Sequence, residues 1–115
     1  MFLQLNHQKP EVYKASREFV LECYRFSKTL PDDEKFGMSS QIRRAALSVH
    51  LNIAEGASRK SAAERKRYYE IARGSIVEID GALDIADGLS YFKNYNRELF
   101  GEKMIQTFKL LSGMI

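Results

Sequence analysis

Apolar residues recur at steps of three and four along nearly the whole chain, and no stretch alternates in the two-residue rhythm of a strand. A first helix is expected from Pro10 to Leu30. Proline is tolerated in a first turn, and Pro31 stops the helix at the other end. Its stripe is Val12, Ser16, Phe19, Val20, Cys23, Ser27 and Leu30. Pro31-Asp32-Asp33-Glu34 reads as a turn and Gly37 as a second break.

A second helix is expected from Ser39 or Ser40 to Glu55, with Gly56 as its C-terminal stop and Ile42, Ala45, Ala46, Val49 and Ile53 as its stripe. Ser61-Ala62-Ala63-Glu64 is a capping box that opens a third helix. Tyr68, Ala72, Ser75, Ile76, Ile79, Leu83, Ala86 and Leu89 carry it to about Ser90, a length of roughly 42 Å. After a loop through Lys93-Asn94-Tyr95, a fourth helix runs from near Asn96 to the C-terminus on Phe100, Met104, Phe108, Leu111 and Ile115. Short connections favour antiparallel neighbours. The expected fold is therefore all-α, an antiparallel up-down-up-down four-helix bundle, with residues 1–115 as one domain. A three-helix core with a detached fourth helix is the alternative.

Composition fits that picture. A chain of 115 residues with 44% apolar and 29% charged side chains can bury a core without staples. Cys23 is the only cysteine, which excludes an intrachain disulfide and suits a reducing compartment. Met1-Phe2-Leu3-Gln4-Leu5-Asn6 lacks the basic n-region of a signal peptide, and no apolar run approaches the roughly 20 residues that span a bilayer. The expected location is the cytoplasm, with no membrane partner.

Residues that carry chemistry are sparse. His7 and His50 are the only histidines, and neither has a cysteine or carboxylate at metal-ligand spacing. His50 reads as a plain surface residue on a helix flank, and Cys23 as a small apolar filler. No inward Glu-x-x-His pairs and no glycine-rich phosphate loop occur. The expectation is a non-enzyme with no catalytic residue, no metal and no cofactor.

Charge is more informative than its net value of +3. Residues 1–42 balance at zero. Residues 43–73 hold eight basic against three acidic side chains, +5, and residues 74–115 hold four against six, −2. Arg59, Lys60, Arg65, Lys66 and Arg67 crowd the start of the third helix, while Asp80, Asp84 and Asp87 gather toward its end. Both placements oppose the helix macrodipole, so a partner explains them better than stability does. Arg43 and Arg44 join the same positive region if the second and third helices pack side by side. These seven residues are the candidate nucleic-acid contacts, and clustered Lys and Arg suffice for sequence-independent phosphate binding. Of the neighbouring tyrosines, Tyr69 is expected to be free to stack on bases and Tyr68 to face the core. The plainer reading is a solvated face laced by Lys66–Glu70 and Glu70–Arg73 pairs. A protein-interaction scaffold without a nucleic-acid role is the alternative function.

Gly74, Gly81 and Gly88 recur every seven residues inside the third helix, where each is unfavourable by ~0.8–1 kcal/mol relative to alanine. Such a stripe admits a neighbouring backbone, within the bundle or from another subunit. Leu47 and Leu51 are apolar but lie off the core stripe. Together, Leu47, Leu51, Gly74 and Gly81 are the candidate oligomer interface.

The run Glu34-Lys35-Phe36-Gly37-Met38-Ser39-Ser40-Gln41-Ile42-Arg43-Arg44-Ala45-Ala46 continues as Leu47-Ser48-Val49-His50-Leu51-Asn52-Ile53-Ala54-Glu55-Gly56, then Arg59-Lys60-Ser61, Glu64, and Ile71-Ala72-Arg73-Gly74-Ser75 with Glu78. It resembles the four-helix-bundle proteins first noticed in intervening sequences of bacterial 23S ribosomal RNA genes, a fold shared with the accessory proteins of diversity-generating retroelements. The resemblance implies an antiparallel bundle assembled into a ring, typically a homopentamer. It also implies, from the retroelement relatives, a basic surface that binds nucleic acid and a reverse transcriptase. For the ribosomal branch it implies no biochemical role. Asn52 and Glu55 are expected to cap the second helix or to bridge to Arg44 or Arg59. Two departures stand out: His50-Leu51 replaces a proline common before Asn-Ile-Ala-Glu-Gly, and Asp80-Gly81 replaces a more helix-favouring pair.

Overall fold

Proline at the first position and a buried stripe of threes and fours make the first helix, α1, Pro10–Lys28. In the computed structural model, which describes residues 2–115, every predicted stripe residue from Val12 to Leu30 is buried. A short 3-10 turn, Asp32–Glu34, leads to α2, Met38–Ser58. Ile42, Ala45, Ala46, Val49 and Ile53 are all in the core. Gly56 does not stop α2; the helix continues through it. The residue is glycine because the Tyr69 ring occupies the place of a side chain, and a Cβ there would stand 2.6 Å from Tyr69 Cε1.

The third helix, α3, spans Ala62–Gly88, and the Ser61 hydroxyl accepts the Glu64 N–H at 3.2 Å, the serine half of the capping box. It ends where Ser90 takes φ 63° and the Tyr91 N–H donates to the Ala86 carbonyl at 2.9 Å. Leu89 therefore falls past the helix and is exposed. The fourth helix, α4, spans Arg97–Ser112. Its buried face is Phe100, Met104, Thr107 and Leu111, not Phe108, which is 37% exposed. Thr107 is admitted because its hydroxyl donates to the Lys103 carbonyl at 2.9 Å.

Each helix packs on its chain neighbours and α1 also packs on α4, so the four close a square measuring 44 × 26 × 25 Å overall. The up-down-up-down bundle is the fold, and the fourth helix is part of it. At one end Phe26, Phe92, Tyr95 and Phe100 interlock, with Phe26 and Phe92 centroids 4.5 Å apart. Tyr95 donates to the buried Glu22 carboxylate and Tyr91 to Glu34 at 2.9 Å, which fastens the α3–α4 loop to α1 and to the 3-10 turn that follows it. The candidate site lies at the other end. Among the described residues no helix is long and apolar enough to cross a membrane.

Candidate nucleic-acid interface

In this topology the start of α1, the end of α2, the start of α3 and the end of α4 share one end of the bundle. That end gathers Arg59, Lys60, Arg65, Lys66 and Arg67 from the α2–α3 connection, with His7 and Lys9 from the approach to α1. His7, Lys9, Ala62, Arg65, Lys66 and Tyr69 line a hollow of about 320 Å³ beside Gly113. Ala62 is the first residue of α3, a position whose N–H has no intrahelical acceptor and where the helix dipole is positive. Cationic side chains and a helix N-terminus thus face one concave surface, the combination that holds phosphate.

The cations divide by task. Arg65 donates to the Arg59 carbonyl at 3.1 Å and the Lys60 carbonyl at 2.7 Å, which pins the α2–α3 turn. Arg59 pairs with Glu55 at 3.0 Å, hydrogen-bonds the Tyr68 hydroxyl at 3.0 Å and lies 4.9 Å over the Tyr68 ring. Tyr68 and Glu55 hold its pKa above the ordinary value, so it keeps its charge. The Glu55–Arg59 bridge is one of the two expected, while Asn52 donates to the Ser48 carbonyl at 2.8 Å instead. Lys60, Lys66 and Arg67 are exposed. Of the three ion pairs among the described residues, none involves them. The expected Lys66–Glu70 and Glu70–Arg73 pairs do not form, in keeping with the small free energy of exposed pairs. Arg73 reaches across to the Ser112 hydroxyl at 3.3 Å.

Arg43 and Arg44 do not join this group. Fifteen or so residues of helix separate Arg44 from Arg59, roughly 22 Å along the axis. Antiparallel packing sets the start of α2 beside the acidic end of α3, so side-by-side contact carries these arginines away from the start of α3. Arg43 is turned into the α1–α2 seam: its Nε donates to the Ser27 hydroxyl at 2.7 Å and its guanidinium lies 5.6 Å over the Tyr24 ring. Arg44 is exposed.

The tyrosine expectation is reversed. Tyr69 is 4% exposed and packed on Gly56, with burial pushing its phenol above the usual range. Tyr68 is half-buried beneath Arg59. His50 is likewise no plain surface residue. Its ring meets Tyr13 edge-on at 4.4 Å, and Nδ1 stands 2.7 Å from the hydroxyl of the buried Ser16. That hydroxyl also donates to the Tyr13 carbonyl at 3.0 Å. Burial, then the nearby Arg17 charge, lowers the His50 pKa.

The Ser48 and Ser75 hydroxyls, 3.0 Å apart, set the α2–α3 register and bring Leu51 level with Ala72. Leu47, Leu51 and Ile71 are 42%, 53% and 42% exposed on the outer side of this helix pair. A Cβ at Gly74, Gly81 or Gly88 would meet nothing within 4 Å, so no neighbour inside the bundle approaches the glycine stripe. Among the described residues no three His, Cys, Asp or Glu side chains come together as metal ligands. Cys23 is fully buried, and burial followed by the Glu22 charge raises its thiol pKa, which keeps the sulfur out of nucleophilic chemistry.

Sequence reasoning missed His7 and Lys9. They precede the first periodic residue, so no helical stripe includes them, yet the topology alone brings the start of α1 to the α2–α3 connection.

Residues 8–113 match the family model described as 23S rRNA-intervening sequence protein. The crystal structure of a protein of unknown function from the S23 ribosomal protein family of Bacteroides thetaiotaomicron VPI-5482 superposes with a TM-score of 0.77. It is 27% identical to this chain and covers 90% of it, and the match spans 93% of that protein's chain. No curated protein matches.

Proposed function

The chain belongs to the 23S rRNA-intervening sequence protein family, and we propose that it is a non-enzymatic, homo-oligomeric protein that associates with RNA through the cationic end of its bundle. The observation that carries this reading is that Lys9 and Lys66 line one hollow at the start of α3 while Lys60 and Arg67, next to it in the chain, are exposed, and among the described residues none of the four is paired with a carboxylate. Arg59 and Arg65 shape the turn that presents them. Phosphate contacts of this kind position a nucleic acid without reading its sequence. RNA is favoured among polyanions because the matched family and the family named for the structural neighbour are both described in ribosomal terms. Titration of a structured RNA into the protein at about 50 mM salt, where phosphate contacts are strong, tests the reading; absence of binding there defeats it.

Self-association is the second part of the proposal. Leu47, Leu51 and Ile71 are exposed apolar side chains of α2 and α3, and nothing in the bundle fills the space a Cβ would take at Gly74 or Gly81. The hydrophobic effect favours burying such side chains against another subunit, and a ring of five is the assembly that the family resemblance implies. The same exposed apolar side chains favour a scaffold role as the second reading. Protein partners that survive nuclease treatment in a pull-down would support that role over RNA association.

A further inference from the structure

The long third helix carries Asp80, Asp84 and Asp87 at i, i+4 and i+7, a spacing that puts all three on one side. The bundle turns that side toward α4, where the three carboxylates line a cavity of about 380 Å³ with Gly81 and Gly101 in its walls. A second cavity of about 370 Å³ continues from it, sharing Asp80 and Met104 and lined by Val77, Ile105 and Phe108. The result is an open trough between α3 and α4. From Val77 to Asp87 it runs about 15 Å, three turns of helix. Neither glycine obstructs it, since a Cβ at either would meet nothing within 4 Å.

The two halves differ in chemistry. Val77, Ile105 and Phe108 are 58%, 55% and 37% exposed at the apolar end. At the acidic end Asp87 is held by Arg97 at 2.9 Å, whereas among the described residues Asp80 and Asp84 have no cation within 4.0 Å and no hydrogen bond. Lys109 stands at the far apolar edge. Asp80 and Asp84 thus contribute uncompensated negative charge to the wall of the trough.

We propose that this trough docks a basic amphipathic helix of a protein partner, about three turns long. Apolar side chains at i, i+3 or i+4 would cover Val77, Ile105 and Phe108, and Lys or Arg would meet Asp80 and Asp84. Charge complementarity selects this occupant. The chain as a whole carries +3, so its general field repels a cationic helix and only the local carboxylates attract one. The site is on the flank of the bundle, away from the RNA-binding end, and does not rest on the RNA reading.

The test uses the full chain and a labelled peptide of about 12 residues with leucines at helical spacing and lysines elsewhere, against a scrambled peptide of equal composition. Fluorescence anisotropy is expected to show saturable binding of the patterned peptide alone. Asp80→Asn with Asp84→Asn should weaken it about 5- to 10-fold, the equivalent of two exposed charge pairs. Ile105→Ser should weaken it as well. All three positions are exposed, so circular dichroism should show the bundle intact. Equal binding of the scrambled peptide, or affinity untouched by these substitutions, overturns the proposal. So does a fall in particle mass on Ile105→Ser, which would give the trough to a second copy of the chain.

Discussion

The ring of Tyr69 lies on Gly56: the closest ring carbon would be 2.6 Å from a methyl at that position. Glycine in the Asn-Ile-Ala-Glu-Gly run is therefore a packing requirement between α2 and α3, and it seats the turn that carries the cationic residues. Tyr69 is 4% exposed, so little of the ring is free to move outward.

Gly56→Ala is expected to destabilise the fold by about 1–2 kcal/mol, overpacking outweighing the better helix propensity of alanine. Urea denaturation measures it. An unchanged or raised midpoint would show that the ring yields.

Arg43 is a seam residue. Arg43→Ala removes a charged donor from Ser27 and a cation from the Tyr24 ring, and is expected to lower stability by about 1–2 kcal/mol. RNA affinity of the folded variant should be unchanged. Loss of affinity without loss of stability would return Arg43 to the nucleic-acid surface.

His50 makes stability pH-dependent. Its folded-state pKa is lowered below the ordinary 6.5, by burial first and then by Arg17. The unfolded chain therefore takes up the proton first as pH falls. The contribution is fully present above about pH 6.5 and is lost below it, down to the folded-state pKa. Thermal unfolding between about pH 7.5 and 5.5 should show a falling midpoint that His50→Gln flattens. Parallel profiles for the two proteins would show that His50 is not the source.

Leu51 is 53% exposed, so Leu51→Glu leaves the bundle intact. Light scattering should give several times 13.2 kDa for the native chain and a mass near 13.2 kDa for the variant. A native monomer contradicts self-association.

Periodicity made the helices and most of the core legible. The α1 stripe could be read residue by residue because Pro10 and Pro31 fix its ends and its serines satisfy themselves locally, as Ser27 does on the Tyr24 carbonyl at 2.7 Å. Tyr68 and Tyr69 were harder. Adjacent positions differ by about 100° around a helix, and only Gly56, thirteen residues away in sequence, decides which ring turns inward. The same limit hid the roles of Arg43 and His50, whose partners Ser27 and Ser16 sit on another helix. For the candidate site, the α2–α3 cations stood out as charge in the sequence. Lys9 and His7 required the topology to be followed through to the shared end of the bundle.

The most direct measurement is RNA affinity as a function of salt for the native chain and for Lys66→Glu with Arg67→Glu. Four phosphate contacts from Lys9, Lys60, Lys66 and Arg67 predict a slope of log K against log salt of about −3 for single-stranded RNA. The double variant should bind at least ~10-fold more weakly at low salt, with a slope shallower by about 1.4. Equal affinity and equal slope for the two proteins would contradict RNA association through the cationic end.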